Sequence, residues 1–107
     1  MKIRENLDAF IEGHPDIYEA YSRFGKAVHE QGGPLEERTR WLIKVALSAA
    51  YGFRKAQLTH MAKALEAGCT PEELEHTLLL VAPTGGFPRM MEALELFREF
   101  RAERPEA

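Results

Sequence analysis

Residues 41–50 read WLIKVALSAA, and this stretch decides the fold class of the 107-residue chain. Its apolar side chains fall on nearly every side of a helix, without the alternation of apolar and polar positions that indicates a strand. A helix that is apolar all round is buried on most of its sides. Because a chain of this length builds only one modest core, we expect the burial of this helix to need a partner subunit, and hence a homo-oligomer.

The same helical period continues outward from this stretch in both directions. Glycine or proline marks most of the breaks between the apolar stripes. The predicted helices cover residues 5–12, 15–31, 35–51, 54–67, 71–83 and 88–101. The chain carries no repeat, low-complexity segment or linker, so we predict one all-α domain of about six helices over residues 1–107.

Thr70-Pro71-Glu72-Glu73 gives the strongest local signal for a helix start. Thr70 is a favourable N-cap, Pro71 fits the first turn, and Glu73 lies three residues after the cap. This is the pattern of a capping box, in which the two side chains bond each other's backbone N–H.

Composition excludes several classes of function. The net charge is −3 without a block of basic residues, which argues against nucleic acid as the main partner. The apolar runs are too short for a membrane span, and no secretory leader is recognisable at the start. A single cysteine, Cys69, allows no intramolecular disulfide and predicts a reducing compartment, the cytoplasm. Glutamate and arginine are favoured over aspartate, lysine and amides, a mixture that also predicts a protein from a hot environment.

Few residues are candidates for chemistry. The four histidines are never spaced i, i+4, and Glu73 and His76 lack a second such pair, so we predict neither a metal site nor a cofactor. We expect Gly85-Gly86 to form a simple turn between helices. His60 lies in the middle of a predicted helix, where an imidazole is either a general acid/base or a core histidine bonded to a backbone carbonyl. The residues alone leave both interpretations open.

Five segments of the chain carry a resemblance to a known family, and they are Pro34–Ile43, Ala49–Gly52, His60, Ala64–Leu74 and Gly85–Pro88. In this order they resemble the carboxymuconolactone decarboxylase and alkylhydroperoxidase D-like family. The resemblance spans about residues 15–96 and implies an all-helical fold that assembles into homo-oligomers, often trimers or hexamers.

Family members with peroxidase activity carry a Cys-x-x-Cys pair, a histidine four residues later and a glutamate upstream. The chemistry needs one thiolate to attack the peroxide, a second to resolve it, and the His/Glu relay to move protons. In this chain Phe53 and Ala56 stand at the cysteine positions and Trp41 stands at the glutamate position. Only His60 remains, so a dithiol peroxidase is not expected.

The decarboxylase branch of the family also lacks the cysteine pair and keeps the histidine. The resemblance therefore implies loss of carbon dioxide from a small organic acid or lactone, without a cofactor and with His60 as general acid/base. Arg40, or less favourably Arg54, would hold a substrate carboxylate through its guanidinium. Two alternatives stay open: a non-catalytic ligand-binding or scaffold protein, and a thiol-linked peroxidase that uses Cys69.

Overall fold

The computed structural model describes residues 2–105, with side chains described from residue 4 onward. Every regular element in that range is a helix, which confirms the all-α class. The elements are α1 (Lys2–Gly13), α2 (Pro15–Gln31), α3 (Glu37–Tyr51), α4 (Arg54–Glu66), α5 (Pro71–Leu79), α6 (Ala82–Gly85) and α7 (Phe87–Ala102). None of the described helices is long and apolar enough to cross a membrane.

The region between α5 and α7 differs from the prediction. We predicted one helix as far as Pro83 followed by a turn, but α5 ends at Leu79 and a separate short helix follows. Pro83 explains this break, because a proline inside α5 would remove a helical N–H bond, whereas it fits the first turn of α6. The turn itself is confined to Gly86, whose φ of 105° favours glycine.

Contacts along the chain divide it into two compact units, Met1–Pro34 and Leu35–Ala107. In the first unit, α1 packs on α2. No residue of α2 is buried. Its predicted apolar stripe is instead between 55% and 66% exposed, and consists of Ile17, Tyr21, Phe24 and Val28.

In the second unit, α3 packs against α4, α5 and α7 around one core. The larger side chains of this core with the least exposure are Val45, Met61, Leu74, Leu78 and Phe100. A buried amide links two of the helices, since Nε2 of Gln57 on α4 donates to the carbonyl of Ala93 on α7 at 3.0 Å. The bond satisfies two buried polar groups at once.

The burial of α3 within the single chain is confined to one side. Its described neighbours cover that side, where Val45, Ser48 and Ala49 are buried. Ile43, Leu47 and Tyr51 are between 43% and 68% exposed. The expectation that burial on most sides needs a partner subunit stays a prediction.

The capping box at the start of α5 is confirmed. Oγ1 of Thr70 accepts from the backbone N–H of Glu73 at 3.1 Å, and Oε1 of Glu73 accepts from the N–H of Thr70 at 2.8 Å. The same carboxylate accepts from the guanidinium of Arg38 on α3. One glutamate thus closes the start of α5 and ties it to α3.

Candidate functional site

A tight hairpin of α3 and α4 builds the candidate site. Gly52 has a φ of 77° and ends α3 in the left-handed conformation, with Phe53 donating its N–H to the carbonyl of Ser48 at 2.9 Å. The chain then turns back as α4. Lys44 and His60, eight positions before and after Gly52, are thereby brought into contact.

The backbone of α3 fixes the imidazole of His60. Its Nδ1 lies 3.1 Å from the carbonyl oxygen of Lys44 and 3.3 Å from Oγ of Ser48. A carbonyl oxygen only accepts, so Nδ1 carries the proton and donates it to this oxygen. In the neutral ring Nε2 is then the basic nitrogen. The tautomer is the one that a general base acting through Nε2 requires.

An aromatic ring lies beside this imidazole. The indole of Trp41 lies beside His60, with 5.9 Å between the ring centroids and an interplanar angle of 46°. Nζ of Lys44 lies 4.8 Å from the centroid of the same indole, which is cation–π geometry. Partial burial lowers the pKa of Lys44, because desolvation disfavours its charged form.

A cavity of about 160 Å³ opens beside the imidazole. Tyr51 and Phe53 are 68% and 61% exposed, so they form a rim and the imidazole is not sealed in the core. The exposed surface of the described lining is apolar, and the residues that contribute to it are Lys44, Leu47, Ser48, Tyr51, Phe53, Ala56 and His60. Phe53, Ala56 and His60, three of the four positions of the family motif, therefore share one cavity, and Trp41 is not among its described lining.

The predicted cations are placed differently. Arg40 donates from Nη1 to the carbonyl of Leu35 and does not line the cavity. It precedes Lys44 by one turn of α3, so the two cations lie on the same side of that helix. Arg54 is exposed at the start of α4. A carboxylate-binding role for Arg40 stays a prediction, and Lys44 contacts His60 through its backbone carbonyl.

Cys69 lies outside this cavity. It is 5% exposed, and its Sγ lies 3.5 Å from the carbonyl of Arg38, to which the thiol donates. Burial raises the pKa of the thiol, so little thiolate forms near neutral pH.

The other candidate residue groups do not form a second site among the described residues. Among the described residues, no group of three or more His, Cys, Asp or Glu side chains is arranged to hold a metal ion. Glu73, one half of the Glu73/His76 pair, serves the capping box and Arg38 instead. A larger hollow of about 670 Å³ runs along α7, and all of its described lining belongs to that helix. One helix cannot enclose a small ligand on several sides.

Sequence reasoning missed Lys44 and Ser48 as members of the site. Both fall within the apolar stretch 41–50, where they are the polar exceptions. Their i, i+4 spacing places them on one side of α3. That pair of polar residues on an otherwise apolar helix is the signal from which they could have been found.

Comparison with known protein families identifies the family to which this chain belongs. The model of the carboxymuconolactone decarboxylase family matches residues 15–99, most of the chain. The chain therefore belongs to the carboxymuconolactone decarboxylase family.

Three similar proteins illustrate the relationship. A crystal structure of apo-lpg0406, a carboxymuconolactone decarboxylase family protein from Legionella pneumophila, superposes with a TM-score of 0.84 at 28% identity, covering 94% of this chain and 89% of the other. Uncharacterized protein MJ1511 of Methanocaldococcus jannaschii is 30% identical over 89% of this chain and 88% of its own length. An uncharacterized 15.0 kDa protein of the nqo9-nqo10 intergenic region of Paracoccus denitrificans is 33% identical over 78% of this chain and 62% of its own length.

Proposed function

We propose that this chain is a cofactor-independent carboxy-lyase acting on a small organic acid or lactone, with His60 as its general acid/base. One observation carries the proposal: the imidazole lines a cavity of about 160 Å³ while the carbonyl of Lys44 holds its Nδ1 proton. A histidine in an ordinary core would also donate to a backbone carbonyl, but it would not line a cavity.

The reaction needs one proton to be delivered to carbon. The bond between the ring carbon and the carboxylate breaks, carbon dioxide leaves, and the electron pair stays on the organic fragment. His60, protonated at Nε2, transfers that proton to the carbon and regains one from solvent. The apolar wall formed by Leu47, Phe53 and Ala56 favours this step, because it replaces the water that stabilises the carboxylate before reaction.

Assembly of several copies is part of the proposal. The exposed Ile43, Leu47 and Tyr51 of α3 form an apolar row of the kind that subunit interfaces cover. Two of these side chains also line the cavity. A second copy would therefore complete the wall of the cavity in a homo-oligomer, a trimer or a hexamer.

A ligand-binding role without catalysis is the second candidate. The observation that favours it is the apolar character of the positions where peroxidase members carry their relay, which are Trp41, Phe53 and Ala56 here. Such a cavity holds a small ring without transforming it.

Release of carbon dioxide from carboxymuconolactone-type acids tests the first proposal. We expect turnover by the wild-type protein, loss of it in His60→Ala, and retention in His76→Ala, which removes an exposed imidazole from α5. Circular dichroism verifies that both variants are folded. Turnover that survives in folded His60→Ala would contradict the assigned role, and a wild-type protein without turnover would favour the ligand-binding candidate.

A further inference from the structure

We propose that Arg89 of α7 is a positioning residue for His60, because its guanidinium packs against the turn at Gly52 and thereby sets the angle between α3 and α4. The inference rests on the proposed function for the role of His60 itself. It adds a residue that neither the sequence motif nor the family match assigns, and that lies outside the described lining of the cavity.

The contact between Arg89 and Gly52 is close. A Cβ built on Gly52 would lie 2.9 Å from Cζ of Arg89 and 3.4 Å from its Nη2, and Nη1 is nearer still. The guanidinium therefore occupies the space that a side chain at residue 52 would need. Arg89 is partly buried, and no carboxylate of the described residues forms an ion pair with it. Its place beside the turn is thus not explained by an acidic partner.

The charges of the two helix ends favour this contact. Arg89 lies in the first turn of α7, where the partial positive charge of a helix start disfavours a cation. Gly52 lies at an end of the opposite kind, because α3 ends there and its last carbonyl groups carry partial negative charge. The guanidinium reaches from the unfavourable end of one helix to the favourable end of another, so it links the start of α7 to the end of α3.

The backbone of α7 is held firmly enough to support such a link. The carbonyl of Gly86 accepts from the N–H of Met90 at 3.2 Å, and Met90 belongs to the core. One turn beyond Arg89, the carbonyl of Ala93 accepts from Nε2 of Gln57 on α4 at 3.0 Å. Residues four apart lie on the same side of a helix. One side of α7 therefore meets the hairpin at two points, the turn through Arg89 and α4 through Ala93.

The distance from the turn to His60 amplifies any change at Gly52. His60 is the seventh residue of α4, so it lies about 10 Å along the helix from the turn. A rotation of about 10° at the turn would move the imidazole by about 2 Å. Its Nδ1 lies 3.1 Å from the carbonyl oxygen of Lys44, and an N–H···O bond weakens steeply beyond about 3.2 Å. A small change in the hairpin angle is thus enough to release the imidazole.

Nitrogen NMR of the His60 ring tests the proposal without a substrate. We expect Arg89→Met to increase the Nε2–H tautomer about threefold or more, because Nδ1 loses its fixed acceptor. Arg89→Lys retains the charge and should keep most of the wild-type ratio. Arg98→Met, which removes an exposed cation from the same helix, should leave the ratio unchanged. An unchanged ratio in folded Arg89→Met, or an equal change in Arg98→Met, would overturn the proposal.

A double-mutant cycle tests the contact itself. Arg89→Ala removes the guanidinium that the new Cβ of Gly52→Ala would meet. The double variant should therefore lower the midpoint of urea denaturation by less than the sum of the two single variants. Strictly additive losses would show that the two residues do not interact, which also overturns the proposal.

Turnover gives the readout that depends on the proposed function. Arg89→Met should lower kcat about threefold or more with KM little changed, and Arg89→Lys should restore most of it. A rise in KM alone would overturn the positioning role and assign Arg89 to ligand binding. A wild-type protein without turnover would reject the proposed function, whereas the tautomer ratio and the double-mutant cycle would still decide the role of Arg89.

Discussion

The Nδ1 atom of His60 lies 3.1 Å from the carbonyl oxygen of Lys44, across the α3–α4 hairpin. The bond joins the backbone of one helix to the side chain of the next, so the position of the imidazole follows the position of α3. Anything that shifts the hairpin therefore shifts the proposed acid/base as well.

The hydroxyl of Ser48 is expected to act as a positioning group. It lies 3.3 Å from Nδ1 of His60 and within 2.9 Å of the carbonyl of Lys44. Ser48→Ala should lower kcat about fivefold with KM little changed, because the imidazole loses the hydroxyl beside Nδ1, and should shift the pH–rate profile.

Thr59→Ala is the matched control for that experiment. Its hydroxyl donates to the carbonyl one turn earlier, that of Lys55, but Thr59 is exposed and does not line the cavity. Both variants should lose about 1 kcal/mol of stability or less. An equal loss of kcat in both would assign the effect of Ser48 to general weakening of its helix.

The turn at Gly52 is expected to limit stability and activity together. A φ of 77° strains any residue with a Cβ, and the new atom would meet the guanidinium of Arg89. Gly52→Ala should destabilise the protein by about 1–2 kcal/mol, measured by urea denaturation. It should also perturb the NMR signals of His60.

Gly25→Ala supplies the contrasting case. Gly25 lies within α2, and a Cβ there meets nothing within 4 Å. Alanine favours a helix interior over glycine by about 1 kcal/mol, so this variant should gain stability. A loss of stability at both glycines would contradict the conformational explanation for Gly52.

The start of α5 predicts a dependence of stability on pH. Bonds from the guanidinium of Arg38 and the backbone of Thr70 lower the pKa of Glu73 below its usual value of 4.5. A lowered folded-state pKa stabilises the protein above the usual value, and the contribution is lost as pH falls through the folded-state value.

Glu73→Gln should therefore be less stable than wild type at pH 7, with the gap narrowing at about pH 3. Urea denaturation at both values measures it, and Glu75→Gln, at an exposed position of the same helix, serves as the control. A gap that is the same at both pH values would assign the loss to the shape of the amide and not to charge.

Cys69 is expected to be unreactive in the folded protein. Its burial and raised pKa predict slow alkylation by iodoacetamide near neutral pH, and rapid alkylation once denaturant exposes the thiol. Cys69→Ser should leave any consumption of hydrogen peroxide unchanged. Loss of peroxide consumption in that variant would support the thiol-linked alternative.

Sequence reasoning succeeded where the signal is local. The capping box at Thr70 and the break between the helices predicted over 35–51 and 54–67 depend on neighbouring residues, and the structure confirms both. The end of α5 was misplaced because a helix interrupted at Pro83 and one that continues through it have similar apolar periods. Where a helix ends before a proline depends on the hydrogen bonds of the backbone, which the spacing of apolar residues does not specify.

The site was only partly predictable for a related reason. His60 was found because an imidazole in the middle of a helix is a side chain able to transfer protons near neutral pH. Lys44 was overlooked because a lysine on a helix is ordinarily a solvated charge. Its contact with His60 depends on how α4 folds back along α3, which the spacing of residues within one helix does not specify.

The described lining of the cavity comes wholly from residues 44–60, a short and continuous piece of chain. Its contacts are close in sequence, so their formation costs little loop entropy and does not await distant parts of the fold. Substitutions within this piece can replace thiols by an aromatic ring and a methyl group without disturbing the core around α5 and α7. Relatives that share this fold can therefore differ in their chemistry through changes in a single hairpin. Having the fold in common says little about which reaction a given relative catalyses.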